Sequence, residues 1–101
     1  MPAFYTYRRS QRLTKALDYR AAYRAKLRKS AGPLVLFGRP NGLRSHRLGL
    51  AVGRAVGPAV RRSRVKRLLR EAFRHARPSI VGPSFDFVVR VHPHPEAAAS
   101  D

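Results

Sequence analysis

The stretch from Gly57 to Ala76 constrains the fold most, because a helix start is followed by a continuous apolar stripe. Pro58 follows Gly57 at a position where proline suits the first turn of a helix. At about 100° per residue, the apolar side chains after it fall within an arc of roughly 140°, which is typical of a helix packed on a core. The stripe comprises Val65, Leu68, Leu69, Ala72, Phe73 and Ala76. We therefore expect a helix that buries this side.

The opposite side of the same helix is basic and lacks the alternating signs of an ordinary solvated helix. Four cations repeat there at i, i+4: Arg62, Lys66, Arg70 and Arg74. Three like-charge pairs of this kind cost about 1 kcal/mol in an isolated helix, and only Glu71 relieves them. A polyanion would remove the repulsion on binding, so the pattern favours a nucleic-acid interface over a solvated face.

The composition points to the same class of partner. The 101 residues carry 22 Lys and Arg against five acids, a formal net charge of +17, which favours nucleic acid first and an acidic membrane surface second. A hydrophobic fraction of 44% is that of a chain that folds. The absence of cysteine excludes disulfides and cysteine-ligated metals, and no apolar run approaches the length of a membrane span. We expect one soluble, cytoplasmic domain.

The other elements follow from local patterns and give the order α-β-β-α-β. Thr14 is a plausible N-cap for a first helix that we predict to run to about Lys29, where residues 30–33 break it. Residues 34–37 and 47–52 are predicted as strands that form an antiparallel hairpin through the turn at residues 39–42. Residues 85–91 alternate as a last strand. Because a helix connects the strands at residues 47–52 and 85–91, we expect these two strands to pair in parallel.

The chain ends are predicted to differ from the folded part. We expect a flexible basic arm over residues 1–11, a single RNA-binding domain over 12–93 and a C-terminal tail over 94–101.

The first helix carries a tyrosine pair that has two interpretations. Tyr19 and Tyr23 share one face at i, i+4, and arginines form a second ladder beside them. The pair belongs either to the core or to a groove in which unpaired bases or sugars pack. A tyrosine suits a surface that is apolar in its body and wet at its tip.

Catalytic equipment is not apparent in the chain. The five acids are scattered along the sequence, and no nucleophile stands beside a base. His92 and His94 have no third ligand nearby, and no glycine-rich phosphate loop is present. We expect a binding protein with no catalytic residue, metal or cofactor of its own.

Residues 62–73, with the sequence Arg-Ser-Arg-Val-Lys-Arg-Leu-Leu-Arg-Glu-Ala-Phe, resemble the bacterial ribonuclease P protein subunit. That family carries an Arg-Asn-Arg element followed by an aliphatic residue, Lys-Arg and the end of an amphipathic helix. Residues 12–23, 34–37, 47–52 and 86–89 also match in order and spacing. The resemblance covers roughly residues 12–93.

The resemblance implies an α/β (α+β) two-layer sandwich with a small central sheet and a left-handed βαβ crossover. It implies a protein that partners a catalytic RNA to remove the 5′ leader of precursor tRNA, with Mg²⁺ held by the RNA. RNA-binding residues carried over from the family or from the basic N-terminal stretch are Arg12, Arg62, Ser63, Arg64, Lys66, Arg67 and Arg70. A cleft for the single-stranded leader would use Tyr19, Tyr23 and Phe37.

The chain departs from the family pattern at several positions. Ser63 stands where the family has asparagine, and His92 stands where an arginine is expected. The family's final helix is missing or reduced to residues 96–99. The main alternative is a structural ribosomal-type or RNA-chaperone protein without processing activity. A DNA-binding helix and a nuclease acting without RNA are disfavoured by the absence of a helix-turn-helix spacing and by the scattered acids.

Overall fold

The computed structural model describes residues 11–25 and 27–94. Two helices and four strands follow in the order α1, β1, β2, β3, α2, β4. They are α1 (Ala16–Arg24), β1 (Leu27–Ala31), β2 (Leu34–Pro40), β3 (Arg47–Val52), α2 (Ala59–Ala76) and β4 (Phe85–Val91). Short 3₁₀ turns at Arg54–Val56 and Arg77–Ser79 flank α2. The α/β class and the central helix are confirmed, and the element order gains one strand.

The sheet has the strand order β1-β2-β4-β3. The predicted parallel pairing of β3 and β4 is confirmed, with Leu50 opposite Val89. The predicted hairpin of β2 with β3 is wrong, because β4 lies between them and pairs antiparallel with β2. A strand that is buried on both sides needs a central position, and β4 carries the fully buried Val88.

The first helix is shorter than predicted. It ends at Arg24 with Lys15 rather than Thr14 as its N-cap, and residues 27–31 form the edge strand β1 against β2. All five residues of β1 are exposed, so they show none of the alternation by which a half-buried strand is recognised. Gly32, at φ 56°, belongs to a hairpin turn and not to a helix end.

The two helices pack on opposite faces of the sheet, which adds a layer to the predicted two-layer sandwich. On one face, Leu13 and Ala22 join Val35, Phe37 and Val88 in a buried cluster. On the other face, α2 packs through its apolar stripe on a second cluster. That cluster comprises Val52, Val56 and Val91, with Leu34, Leu50, Val65, Leu69 and Val89 partly buried around it.

Only part of the apolar stripe of α2 reaches the core. Val65, Leu69 and Phe73 lie at i, i+4, i+8 and face the sheet, and Phe73 is buried. The parallel row at Leu68, Ala72 and Ala76 was predicted to be core but is exposed, and 64% of Leu68 is accessible. The predicted arc is thus wider than the line of contact that one helix makes on this sheet.

The folded part begins before α1. Leu13 donates its amide hydrogen to the carbonyl of Leu48 at 3.0 Å, and Arg12 bridges Leu48 in a parallel pairing, so this segment runs along the edge of β3. Gln11 is buried. Of the predicted arm at residues 1–11 only Gln11 is described, and of the predicted tail at residues 94–101 only His94; the vestigial helix at residues 96–99 lies outside the described residues. Among the helices described, none is long and apolar enough to cross a membrane.

The buried carboxylate of Asp86 on β4 connects this strand to β3 and to the loop between β2 and β3. Asp86 is inaccessible to solvent and receives hydrogen bonds from Nε and Nη2 of Arg47 at 2.8 and 2.7 Å, and from the Asn41 amide at 2.9 Å. Arg39 lies 3.7 Å away, and Asp18 on α1 lies 3.6 Å from Arg47. Two of the acids that are scattered in the sequence are therefore neighbours in space.

These contacts set the ionisation of the cluster. Burial alone would raise the pKa of Asp86, but the hydrogen bonds from Arg47 and Asn41 and the charge of Arg39 outweigh it and lower the pKa. The same hydrogen bond raises the pKa of Arg47. The cluster is a structural ion pair that anchors the loop between β2 and β3.

Candidate nucleic-acid interface

The predicted RNA-binding residues of α2 share one long, mostly exposed surface. Ser63, Arg64, Arg67 and Arg70 are exposed, and Arg62 and Lys66 are half-buried at its border with the sheet. Glu71 reduces the like-charge repulsion along this face. It forms an ion pair with Arg74, whose Nη2 contacts Oε1 and whose Nε lies 3.3 Å from Oε2. The hydrogen bond from Arg74 lowers the pKa of Glu71. The N-terminal two thirds of α2 therefore present the cations.

Arg62 has a second role at the entry of α2. Its Nε donates a hydrogen bond to the carbonyl of Gly57 at 3.1 Å, so part of the guanidinium holds the turn that precedes the helix. This contact closes the last turn before the helix and orients the side chain. Arg62 therefore couples the shape of the entry turn to the cationic surface.

A small cavity brings together cations from two elements that are distant in the sequence. It measures about 190 Å³ and lies between the segment at Arg12–Thr14, β3 and α2. Arg12, Lys66 and Arg70 line it together with the hydroxyl-bearing Thr14. Among the described residues that line it, none is acidic. An anion of the size of a phosphate group would meet charge and a hydroxyl there.

Tyr19 is partly buried against the core and lines the small cavity. Its hydroxyl donates to the carbonyl of Leu13 at 3.3 Å and accepts the amide hydrogen of Leu50 at 3.2 Å. Its ring packs on Gly49, where no β-carbon stands in the way. Of the two interpretations of the tyrosine pair, the core interpretation therefore describes Tyr19.

Tyr23, one helical turn later, lies at the surface. It is 36% exposed and meets Phe37 edge-on, with ring centroids 4.8 Å apart and an interplanar angle of 89°. Phe37 itself is buried, with the guanidinium of Arg28 5.4 Å from its ring. Burial raises the pKa of Tyr23, Arg90 lowers it and Tyr19 raises it, and the net shift is upward, so the hydroxyl stays protonated at neutral pH.

A cleft of about 550 Å³ lies beside Tyr23. Its floor is the end of β3 and the turn after it, whose small side chains leave the backbone open to a ligand. Arg90, near the end of β4, supplies a positive charge, and His92 and Pro93 also line the cleft. The lining residues are Tyr23, Ala51, Val52, Gly53, Ala55, Val56, Arg90, Val91, His92 and Pro93.

The residues predicted for the leader cleft coincide with this cleft only in part. Tyr23 lines it, whereas Phe37 packs against the Tyr23 ring and Tyr19 lines the small cavity instead. Arg90 is not among the predicted site residues, although it and Asp86 are the two charged residues of an otherwise apolar strand and so gave a signal. His92, which stands where the family has arginine, also lines the cleft.

The described parts of both surfaces lack a recognisable metal centre. Within residues 11–25 and 27–94, no group of three or more His, Asp or Glu side chains is close enough to hold an ion. The side chains on these surfaces offer positive charge, hydrogen-bond donors and, at Tyr23, an aromatic ring.

Comparison with known proteins places this arrangement in a family. A sequence model described as Ribonuclease P matches residues 7–101. The ribonuclease P protein component of Chromobacterium violaceum is 39% identical over 87 residues, which cover 85% of this chain and 70% of that relative. The component of Pseudomonas aeruginosa strain LESB58 is 41% identical over 83 residues, 80% of this chain and 60% of the relative.

Solved structures agree in fold. The RNase P protein of Staphylococcus aureus superposes with a TM-score of 0.74 at 26% identity, over 81% of this chain and 74% of that one. The RNase P protein of Thermotoga maritima superposes with a TM-score of 0.70 at 30% identity, over 88% of this chain and 78% of that one. The helix-borne cations and the cleft beside Tyr23 thus occur on a shared scaffold, and the chain belongs to the ribonuclease P protein family.

Proposed function

We propose that this chain is the protein subunit of ribonuclease P, which binds a catalytic RNA and the 5′ leader of precursor tRNA so that the leader is removed. The observation that carries the proposal is the combination of two surfaces on one scaffold of this family. One is the cationic face of α2, and the other is the cleft of about 550 Å³ beside Tyr23. In this assignment the RNA performs the hydrolysis, and the protein positions the substrate.

The cationic face of α2 is assigned to the catalytic RNA. Exposed guanidinium groups neutralise phosphates and release counterions, so each phosphate contacted contributes about 0.7–0.9 to the slope of log affinity against log salt. Such contacts position RNA without reading its bases, so little sequence discrimination is expected. Ser63, where the family has asparagine, would contribute a hydroxyl group in place of a side-chain amide.

The small cavity between Arg12 and α2 is assigned to one backbone phosphate of the same RNA. Lys66 and Arg70 approach it from the helix and Arg12 from the edge of β3, so one anion would relieve repulsion among three cations. A phosphate held there would tie the N-terminal segment to α2.

The larger cleft is assigned to the single-stranded leader. The half-exposed ring of Tyr23 offers a stacking surface for an unpaired base, and Arg90 offers a partner for the adjacent phosphate. The small residues at the end of β3 allow the nucleotide to approach the backbone. A duplex has its bases stacked and paired, so the cleft would favour a leader over the body of tRNA.

Mg²⁺ is assigned to the RNA partner and not to this chain, as the resemblance implies. The basic residues of this chain bind phosphates of both RNA molecules and so lower the repulsion between them. A cytoplasmic location is part of the same proposal.

Reconstitution tests the proposal directly. The purified chain is added to a bacterial ribonuclease P RNA at low Mg²⁺, and cleavage of a precursor tRNA with a labelled leader is followed. We expect release of the leader with the protein and little release without it. Binding of the RNA without any gain in cleavage would instead favour a structural or RNA-chaperone protein.

A further inference from the structure

Arg61 differs from the other arginines of α2 because its side chain turns back onto the protein. It lies across Gly57, so closely that a β-carbon on that glycine would sit 2.7 Å from Cδ of Arg61. The Nε atom of Arg61 is buried and finds no hydrogen-bond partner among the described residues. The guanidinium is therefore withdrawn from the cationic surface that is assigned to the catalytic RNA.

The guanidinium end of the Arg61 side chain contacts the segment that follows β4. Nη2 of Arg61 donates a hydrogen bond to the carbonyl oxygen of His94 at 2.6 Å. His94 directly follows His92 and Pro93, which form one wall of the 550 Å³ cleft. A second anchor holds the start of this segment, where the amide of His92 donates to the carbonyl of Pro33 at 2.8 Å. The segment from His92 to His94 is thus hydrogen-bonded at both ends, and the bond from Arg61 connects it to α2.

We propose that Arg61 is a positioning residue for the 5′ leader, which fixes the His92–Pro93 part of the cleft lining by holding the carbonyl of His94. This inference rests on the proposed function of the cleft. Because Arg61 starts from the first turn of α2, it also ties the leader cleft to the helix whose next residues, Arg62 to Arg64, face the catalytic RNA. A hydrogen bond from a charged donor to a backbone carbonyl is strong and directional.

The test compares two variants of Arg61 with a charge-matched control in the reconstituted holoenzyme. Arg61→Met keeps most of the aliphatic packing over Gly57 but removes the donor and the charge. Arg61→Lys keeps a charge and a donor. Lys29→Met removes one charge from the exposed strand β1, at the edge of the sheet opposite β3. The measured quantity is the ratio of the affinities for leader-bearing and mature tRNA.

We expect Arg61→Met to lower this ratio by several-fold to about tenfold, the effect of losing one charge-assisted hydrogen bond. Arg61→Lys should recover part of the loss, and Lys29→Met should leave the ratio unchanged. An Arg61→Met holoenzyme with the wild-type ratio overturns the inference. An equal loss of affinity for both tRNAs also overturns it, since that result reports only the missing charge.

A measurement on the free protein separates this inference from the proposed function. The amide signals of His92 and His94 in a ¹H–¹⁵N spectrum should shift in Arg61→Met and stay in place in Lys29→Met. Unmoved signals would refute the role of Arg61 even if the cleft binds the leader. Shifted signals with a wild-type protein that does not distinguish the two tRNAs would refute the assignment of the cleft, and the inference with it.

Arg61→Gln replaces the methionine variant if that variant does not fold. It keeps a polar side chain that helices accept, but its amide nitrogen reaches only to the position of the original Nε. The same lowered ratio is expected, and an unchanged ratio counts against the inference in the same way.

Discussion

The ring of Tyr19 lies directly on the backbone of Gly49, so that a β-carbon on this glycine would stand 2.7 Å from Cζ of the tyrosine. The Tyr19 hydroxyl bonds Leu13 and Leu50 from the same position. One side chain of α1 thereby joins the N-terminal segment to β3. The side of β3 at Gly49 is thereby covered by the protein itself.

Gly49→Ala should destabilise the fold by about 1–3 kcal/mol, because the added methyl group would force the Tyr19 ring off the sheet. The matched control is Gly53→Ala, since Gly53 has φ −81° and no atom within 4 Å of an added β-carbon. That control should be neutral or slightly stabilising. Urea denaturation followed by circular dichroism measures both, and equal midpoints would contradict the close approach of ring and backbone.

The two tyrosines should separate stability from leader binding. Tyr19→Phe loses the bonds to Leu13 and Leu50 and should cost about 1–3 kcal/mol of stability, with no preferential loss of leader affinity. Tyr23→Ala should weaken binding of leader-bearing tRNA more than that of mature tRNA, by about 1–3 kcal/mol for a lost stacking surface. Thermal melts and tRNA binding by the holoenzyme measure these effects. Equal weakening of both tRNAs by Tyr23→Ala would point to a core role instead.

The cationic face of α2 should make binding of the catalytic RNA depend on salt concentration. Arg62→Ala combined with Arg64→Ala should weaken binding to the catalytic RNA while the fold survives. The slope of log affinity against log salt should fall by about 0.7–0.9 for each phosphate that the double variant no longer neutralises. Arg74→Ala removes the same charge from the end of α2, where Glu71 already pairs with it, and should change the slope less. Unchanged affinity of the double variant with intact circular dichroism would remove this part of α2 from the RNA interface.

The buried Asp86 should make stability fall at acid pH. Its pKa is lowered in the folded protein, so the stabilisation is complete above the unfolded pKa of about 3.9 and is lost as the pH falls through the folded value. Asp86→Ala leaves Arg47 without its partner and should cost about 3–5 kcal/mol.

Asp86→Asn isolates this effect because it removes the titrating group but keeps its shape. The difference in free energy of unfolding between wild type and variant should be constant from about pH 5 to 8 and should narrow below about pH 4. Urea denaturation across this range measures it. A difference that stays constant down to about pH 2 would show that the carboxylate of Asp86 is not the source of the acid sensitivity.

Much of the functional surface could be predicted because it depends on local periodicity. The spacing of Val65, Leu69 and Phe73 defines the buried side of α2, and the like-charged ladder opposite it needs no tertiary information. The parallel pairing of β3 with β4 also followed, since a helix between two strands leaves room for a crossover. The family motif at residues 62–73 lies on this same helix.

Tertiary structure decided the features that depend on neighbours distant in the chain. The edge strand β1 has no pattern of its own, and it exists because β2 offers it a free edge. The insertion of β4 between β2 and β3 brings Asp86 to Arg47, and the packing of Tyr19 on Gly49 removes one of the two tyrosines from the surface. Local periodicity reports which side of an element is buried, whereas strand order and hydrogen-bond partners depend on long-range packing that a single element does not encode.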